Sequence, residues 1–168
     1  MARQSSVETL QKVFGDWHYR PGHQLLIGFL GWCAIVPVGL MSAMVLIQQA
    51  ASDPVEQAHP IAFVLQDHFL AAFILAVVLA PLMEEIVFRG FLYGYLRSRF
   101  SILAAAPLTG LVFAILHPQG VAAMPYLFML GTGLCLLREY NRSLVPAIFA
   151  HMVTNGLVMV ISYSMMAS

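Results

Sequence analysis

The chain has 168 residues, of which 60% are hydrophobic and 10% are charged, and its formal net charge is zero. Soluble domains carry about 25% charged residues, so this chain has too few charges to cover a water-exposed surface. The composition predicts an integral membrane protein of one domain. Because no basic run is present to contact phosphates, nucleic acid is excluded as an expected partner.

Six apolar or helix-like segments follow a polar N-terminus. They run over about 24–47, 61–80, 82–98, 101–117, 121–138 and 144–166. The first is long enough to span roughly 30 Å of hydrocarbon. The polar stretches 48–60 and 138–143 predict a loop and a turn. We expect an all-α, polytopic transmembrane bundle of about five or six membrane helices around a polar intramembrane cavity.

Charge distribution gives the expected orientation and division of the chain. Basic residues precede the first helix, whereas 48–60 contains acidic residues and no Lys or Arg. The positive-inside rule therefore predicts a cytoplasmic N-terminal segment at 1–23 and a first transmembrane helix with an outer loop at 24–60. A helical bundle follows at 61–168. Four later arginines also fall inside if 61–80 and 82–98 form one crossing interrupted at Pro81, so the number of crossings stays open.

Several polar side chains lie in or beside the apolar segments. They are Glu84, Glu85, Arg89, His117, His151 and Asn155. A charged group at bilayer depth costs about 2.5–3.5 kcal/mol on insertion scales. A chain that keeps several such groups must pair them or line a wet cavity with them, so they are the candidates for function.

The spacing of the acidic residues separates their roles. Glu85 and Arg89 are four residues apart with the acid first, which is the favoured order for a helical ion pair. Glu84 lies about 100° away around the helix, so it is less able to share Arg89. We therefore assign Glu85 to a structural pair and Glu84 to chemistry. A helix end at which both acids pair with Arg89 remains an alternative.

The histidines lie on two other helices, each one turn from a second notable residue. Phe113 precedes His117, and Asn155 follows His151. Alone, His117 could be a histidine at a helix C-terminus, and His151 with Asn155 could be interhelical hydrogen bonds. Together, a carboxylate and an imidazole can deprotonate water, while a second imidazole and an amide stabilise an oxyanion. Two histidines and one glutamate also form a catalytic zinc set. Both arrangements point to hydrolysis.

Three motifs in order carry a resemblance to a known family. Glu84-Glu85-Ile-Val-Phe-Arg89 is similar to an EExxxR motif, Phe113-x-x-x-His117 to FxxxH, and His151-x-x-x-Asn155 to HxxxN. The chain thus resembles the CAAX-protease and bacteriocin-processing family, also called CPBP or Abi, over about 61–166. The resemblance implies that 61–168 is the catalytic bundle of an intramembrane endopeptidase of the glutamate type.

The resemblance also implies roles for the site residues. Glu84 and His117 would act on the attacking water, and His151 and Asn155 would stabilise the oxyanion. The supporting residues would be Glu85, Arg89 and Phe113. We expect no required cofactor, with zinc on Glu84, His117 and His151 as the metalloprotease alternative.

The expected partners are membrane lipid and a peptide or membrane-anchored protein substrate, without an implied prenyl group. The expected location is the inner (plasma) membrane of a bacterium, as a multi-pass protein. A non-catalytic immunity or scaffold protein that binds a peptide or partner in the same cavity is the main alternative, and an ion or proton carrier is a weaker one. We place the cavity between 84–89, 113–121 and 151–155, which requires the backbone around Pro118 to lie inside the protein.

Overall fold

The computed structural model describes residues 14–15, 20–50, 68–119 and 121–167. These residues are mainly helical, and the one β-type contact among them is an isolated antiparallel bridge between Gly15 and Ser143. The all-α class expected from the sequence is confirmed. Most of the predicted N-terminal segment 1–23 lies outside the described residues, as does most of the loop predicted at 48–60.

Helix α1 covers Pro21–Ala50 and contains Pro37. It begins three residues before the predicted segment 24–47 and continues into the stretch predicted to be a loop, so the predicted loop boundary at residue 48 is wrong. Residues 48–50 are Gln, Gln and Ala, which are good helix formers. Their polarity therefore does not end the helix.

Helix α2 covers Phe69–Arg97 and joins two predicted segments into one. It alternates α-helical and wider π-helical stretches: Phe69–Phe73, Ile74–Leu79 (π), Ala80–Glu85, Ile86–Leu92 (π) and Tyr93–Arg97. The predicted interruption at Pro81 is wrong. Proline lacks an N–H and its ring crowds the preceding turn, but the π-helical stretch just before it changes the hydrogen-bond register, and the helix passes through.

Three further helices complete the described fold. Helix α3 covers Ile102–Ile115, a 3₁₀ turn covers Val121–Ala123, and helices α4 and α5 cover Met124–Asn141 and Val145–Ala167. The turn predicted at 138–143 is wrong in extent, because α4 continues through Asn141. Arg142 ends it in the left-handed conformation, at φ 52°. Arg and Glu favour helix, so the polar composition alone does not end α4.

The number of membrane crossings is the part of the predicted architecture that stays a prediction. Within the described residues, α2 is the helix that is long and apolar enough to cross a membrane, by length and composition. Ile102–Ile115 and Val145–Ile161 are apolar but shorter. Five or six crossings are therefore not confirmed.

Small residues allow the helices to approach closely. A Cβ atom added to Gly131 of α4 would lie 2.8 Å from the Cα atom of Gly110 of α3. One added to Gly28 of α1 would lie 2.7 Å from the carbonyl oxygen of Pro146 at the start of α5. Such backbone contacts are typical of helices that associate in lipid. They hold α3 and α5, which carry the two histidines, against the rest of the bundle.

We expect Gly131→Ala to destabilise the protein by about 1–3 kcal/mol, because the added methyl group would force α3 and α4 apart. Gly94→Ala is the matched control, since its new Cβ would meet nothing within 4 Å. Thermal unfolding in detergent measures both. Equal unfolding temperatures for the two variants would contradict the close approach of α3 and α4.

Candidate active site

A fully buried ion pair lies at the centre of the bundle. Arg89 donates from Nη1 to Glu85 Oε1 over 2.6 Å, and both side chains have no exposed surface. Arg89 also donates from Nη2 to the carbonyl oxygen of Gly131 over 3.0 Å. Its guanidinium carbon lies 4.5 Å from the centroid of the Phe113 ring. The ion pair therefore links α2 with α4 and α3, and the pairing predicted from the four-residue spacing is present.

His151 of α5 is held by the same carboxylate. Its Nδ1 lies 2.8 Å from Glu85 Oε1, and its side chain is 2% exposed. Its Nε2 lies 3.7 Å from Glu84 Oε2. The four-residue spacing predicts Arg89 as a partner of Glu85, but it does not predict this second partner. Spacing within one helix carries no information about a contact from another helix.

His117 lies just beyond the end of α3, which stops at Ile115. Its Nδ1 donates to the carbonyl oxygen of Phe113 over 2.6 Å, and the two rings are 4.0 Å apart between centroids. Its Nε2 lies 3.6 Å from Glu84 Oε2. The backbone of the last helical turn thus fixes the ring with Nε2 near Glu84.

The hydrogen bonds at Nδ1 of the two histidines determine whether Nε2 turns a lone pair or a hydrogen towards Glu84. Each Nδ1 faces an acceptor, which is a carbonyl oxygen for His117 and a carboxylate paired with Arg89 for His151. A ring nitrogen that meets an acceptor must carry the hydrogen. In its neutral form, each ring therefore turns an Nε2 lone pair towards Glu84. Three acceptor atoms converge on one point.

Glu84 Oε2 is the centre of this convergence. The atom is buried and has no hydrogen-bond partner among the described residues, although the side chain as a whole is 31% exposed. Its distances of 3.6 and 3.7 Å to the histidines are too long for direct hydrogen bonds. A water molecule has two hydrogens to donate, so it would satisfy two of the three acceptors.

Asn155 of α5 lies one turn beyond His151, and its side-chain amide is hydrogen-bonded to α2. Its Nδ2 donates to the carbonyl oxygen of Ala76 in α2 over 2.9 Å. Sequence analysis did not find this partner. One signal for it was available: Pro81, five residues after Ala76, has no N–H to donate to the preceding turn.

Phe113 forms an apolar wall of the site. It is fully buried and meets Phe88 edge to face at 5.1 Å and His151 at 5.7 Å. The structure thus brings together the stretches 84–89, 113–117 and 151–155. The cavity predicted between them stays a prediction, and Gly120 at its expected edge lies outside the described residues.

Glu84, His117 and His151 are the residues on which the metalloprotease alternative would place zinc. The donor types fit, since one carboxylate and two imidazoles occur together in catalytic zinc sites. In the described part of the chain, however, no group of three or more His, Cys, Asp or Glu side chains is placed to hold a metal ion. A zinc site therefore stays a prediction.

The two neighbouring acids should differ in their effect on stability. Glu85→Ala leaves the buried Arg89 without its carboxylate, which we expect to cost about 3–5 kcal/mol. Glu84→Ala removes a carboxylate that no described residue hydrogen-bonds through Oε2, and we expect less than about 1 kcal/mol. Thermal unfolding of the purified variants measures the difference. A loss at Glu84 as large as that at Glu85 would contradict the division of roles.

Comparison with known proteins gives the family of this chain. Residues 66–157, which contain all three motifs, match the model of a family described as type II CAAX prenyl endopeptidase Rce1-like. A curated protein of Bacillus subtilis (strain 168), named "Putative membrane peptidase YdiL", is 30% identical over 87 residues. The alignment covers 52% of this chain and 35% of that protein, so the chain spans about a third of the length of this relative. No solved structure gives a significant match.

The family match extends over more than half of the 168 residues and includes every residue assigned to the site. The chain therefore belongs to the type II CAAX prenyl endopeptidase Rce1-like family, and it is a membrane protein of a protease family.

Proposed function

We propose that this protein is an intramembrane endopeptidase that hydrolyses a peptide bond of a membrane-associated or peptide substrate. The observation that carries the proposal is the convergence of Glu84 Oε2 with Nε2 of His117 and Nε2 of His151, at 3.6 and 3.7 Å. These side chains come from α2, the end of α3, and α5. Glu84 Oε2 and the Nε2 lone pair of His117 are two acceptors near one point, which suits a water molecule that must lose a proton.

In the first step, the water donates one hydrogen to Glu84 Oε2 and the other to Nε2 of His117. Glu84 takes the proton as the water oxygen attacks the carbonyl carbon of the scissile bond. A positioned general base of this kind contributes about 10²- to 10⁴-fold to the rate. The backbone carbonyl of Phe113 supports His117 in this role, because it keeps the hydrogen on Nδ1.

In the second step, negative charge develops on the carbonyl oxygen of the substrate. We assign its stabilisation to His151. Nδ1 of His151 lies 2.8 Å from Glu85 Oε1, so the ring donates to the substrate oxygen from Nε2 in the form that carries a hydrogen on both ring nitrogens. The tetrahedral intermediate then collapses, the C–N bond breaks, and the proton held by Glu84 passes to the leaving amine. Water and peptide yield one acid and one amine.

The orientation of the protein in the membrane is also a proposal. Ser143 Oγ donates to Gln24 Oε1, near the start of α1, over 2.6 Å, and Arg97 Nε donates to Glu139 Oε1 over 3.0 Å. The start of α1, the turn after α2 and the turn after α4 therefore share one end of the bundle. Four arginines belong to these turns or to the helix ends beside them: Arg97, Arg99, Arg138 and Arg142. This supports a multi-pass protein of the bacterial inner membrane with that end in the cytoplasm.

We expect Glu84→Gln to reduce cleavage by about 10²- to 10⁴-fold while the protein stays folded, because the amide cannot accept the proton of the water. The substrate is found by comparing membrane and secreted peptides of cells that carry either the wild type or Glu84→Gln. Cleavage of the peptide that accumulates is then measured with purified protein. Glu139→Gln is the matched control, since its carboxylate lies at the arginine-rich end, and it should cleave as the wild type does.

Wild-type cleavage by purified Glu84→Gln would remove the proposed activity. A cellular effect that survives this substitution, with no peptide accumulating, would instead support a protein that binds a peptide or partner without cutting it.

We propose further that no metal is required. Purified protein dialysed against a chelator should keep its cleavage rate, because Glu84 and His117 activate the water themselves. Addition of zinc after dialysis is the control. Loss of activity on dialysis and its return with zinc would show that the metalloprotease alternative on Glu84, His117 and His151 is correct.

A further inference from the structure

The contact between Asn155 and Ala76 lies at a defect in the hydrogen bonding of α2. In the π-helical stretch Ile74–Leu79, backbone N–H groups donate to the carbonyl five residues back, and Ala80 N accordingly donates to the carbonyl oxygen of Leu75. The next donor in this register is residue 81, and its acceptor is Ala76. Residue 81 is proline and has no N–H. The carbonyl of Ala76 therefore loses its partner within the helix.

Asn155 Nδ2 donates to that carbonyl oxygen, over 2.9 Å. An unsatisfied carbonyl in a membrane helix is costly, and a proline there is tolerated when a neighbouring helix supplies the missing donor. Side-chain packing contacts between the same two helices lie on either side of it: Val77 of α2 packs on Met159 of α5, and the Phe69 ring lies 4.8 Å from the Tyr163 ring between centroids. Asn155 is placed where the amide N–H of residue 81 would be needed.

The contact fixes the part of α2 that leads to Glu84. Among the described residues, hydrogen bonds join α5 to α2 on both sides of Glu84: Asn155 to Ala76 before it, and His151 to Glu85 after it. Glu84 lies between these two contacts. Since π-helical turns can change register, a donor that holds Ala76 also holds the helical rotation that directs Glu84 towards the histidines.

We infer that Asn155 is a positioning residue that replaces the missing N–H of Pro81 and thereby holds Glu84 in place, rather than a donor to the substrate oxyanion. This inference rests on the proposed protease activity for its kinetic consequence. Its structural part, the link between Asn155 and Pro81, stands without that activity.

If Asn155 compensates for Pro81, the effect of replacing Asn155 must depend on which residue occupies position 81. Asn155→Ala should lower the unfolding temperature by about 2–10 °C, because it leaves a part-buried carbonyl of a membrane helix without a donor. It should also lower kcat by about tenfold or more, since a small displacement of a catalytic group has effects of that size. In the Pro81→Ala background the backbone supplies the N–H, so adding Asn155→Ala should change both quantities little.

The experiment is a double-mutant cycle of wild type, Asn155→Ala, Pro81→Ala and the double variant. Unfolding temperature in detergent and kcat are measured for each. Because Pro81 is fully buried, Pro81→Val is made in parallel, as it restores the N–H with a larger side chain. Recovery of kcat and of the unfolding temperature in either double variant, relative to Asn155→Ala alone, supports the inference.

A double variant whose unfolding temperature recovers but whose kcat remains as low as that of Asn155→Ala would overturn the inference, since Asn155 would then act on the reacting atoms. Recovery of neither quantity with both Pro81→Ala and Pro81→Val would overturn the link to Pro81. Glu84→Gln is assayed alongside. If wild type and Glu84→Gln cleave alike, the proposed activity fails, and the unfolding temperatures alone decide whether Asn155 compensates for Pro81.

Discussion

The fully buried carboxylate of Glu85 is the constraint on which the rest of the structure depends. A charge with no exposed surface must be matched by charges and donors around it. Glu85 meets Arg89 at 2.6 Å and His151 at 2.8 Å, and Arg89 in turn meets the carbonyl oxygen of Gly131 at 3.0 Å. Helices α2, α4 and α5 can therefore pack in few other arrangements without leaving a buried charge unpaired.

Because Glu85 pairs with Arg89, Glu84 is not needed for that ion pair. The two acids are adjacent in sequence, so the helix directs them about 100° apart. The Glu85 carboxylate is held by Arg89 and His151 through Oε1, whereas the Glu84 carboxylate faces the two Nε2 atoms at 3.6 and 3.7 Å. A pair of glutamates therefore gives one structural and one reactive group, and the structural group orients His151 for the reactive one. The Glu85 carboxylate therefore contributes both to stability, by pairing with Arg89, and to the proposed chemistry, by orienting His151.

The features that could be predicted from the sequence are of two kinds. Some depend on the spacing of residues within one helix, and others on the free-energy cost of placing polar side chains in a membrane. The ion pair of Glu85 and Arg89 follows from four-residue spacing. The meeting of Glu84 with His117 and His151 follows from the few polar groups in apolar helices, together with the family resemblance. Contacts between helices that involve backbone carbonyls, such as those of Ala76 and Gly131, have no side-chain pattern to reveal them.

Errors in the predicted helix boundaries have a related cause. Polarity predicts a helix end at residue 48 and at 138–143, but Gln, Arg and Glu are good helix formers, so their local propensity favours the helix. Proline predicts a break at Pro81, but a change of register and a donor from another helix allow α2 to continue. In the first case composition is a poor guide to helix propensity, and in the second the tertiary structure compensates for a local cost.

The depth of His117 follows from the length of α3. With 14 residues, α3 extends over about 21 Å, which is less than the roughly 30 Å of the hydrocarbon layer. His117 comes just after its end, and Glu84 lies near the middle of the long helix α2. A full-length α3 would carry its terminal histidine past Glu84. The irregular backbone after Ile115 is therefore what brings a histidine with a fixed Nδ1 to the level of the carboxylate.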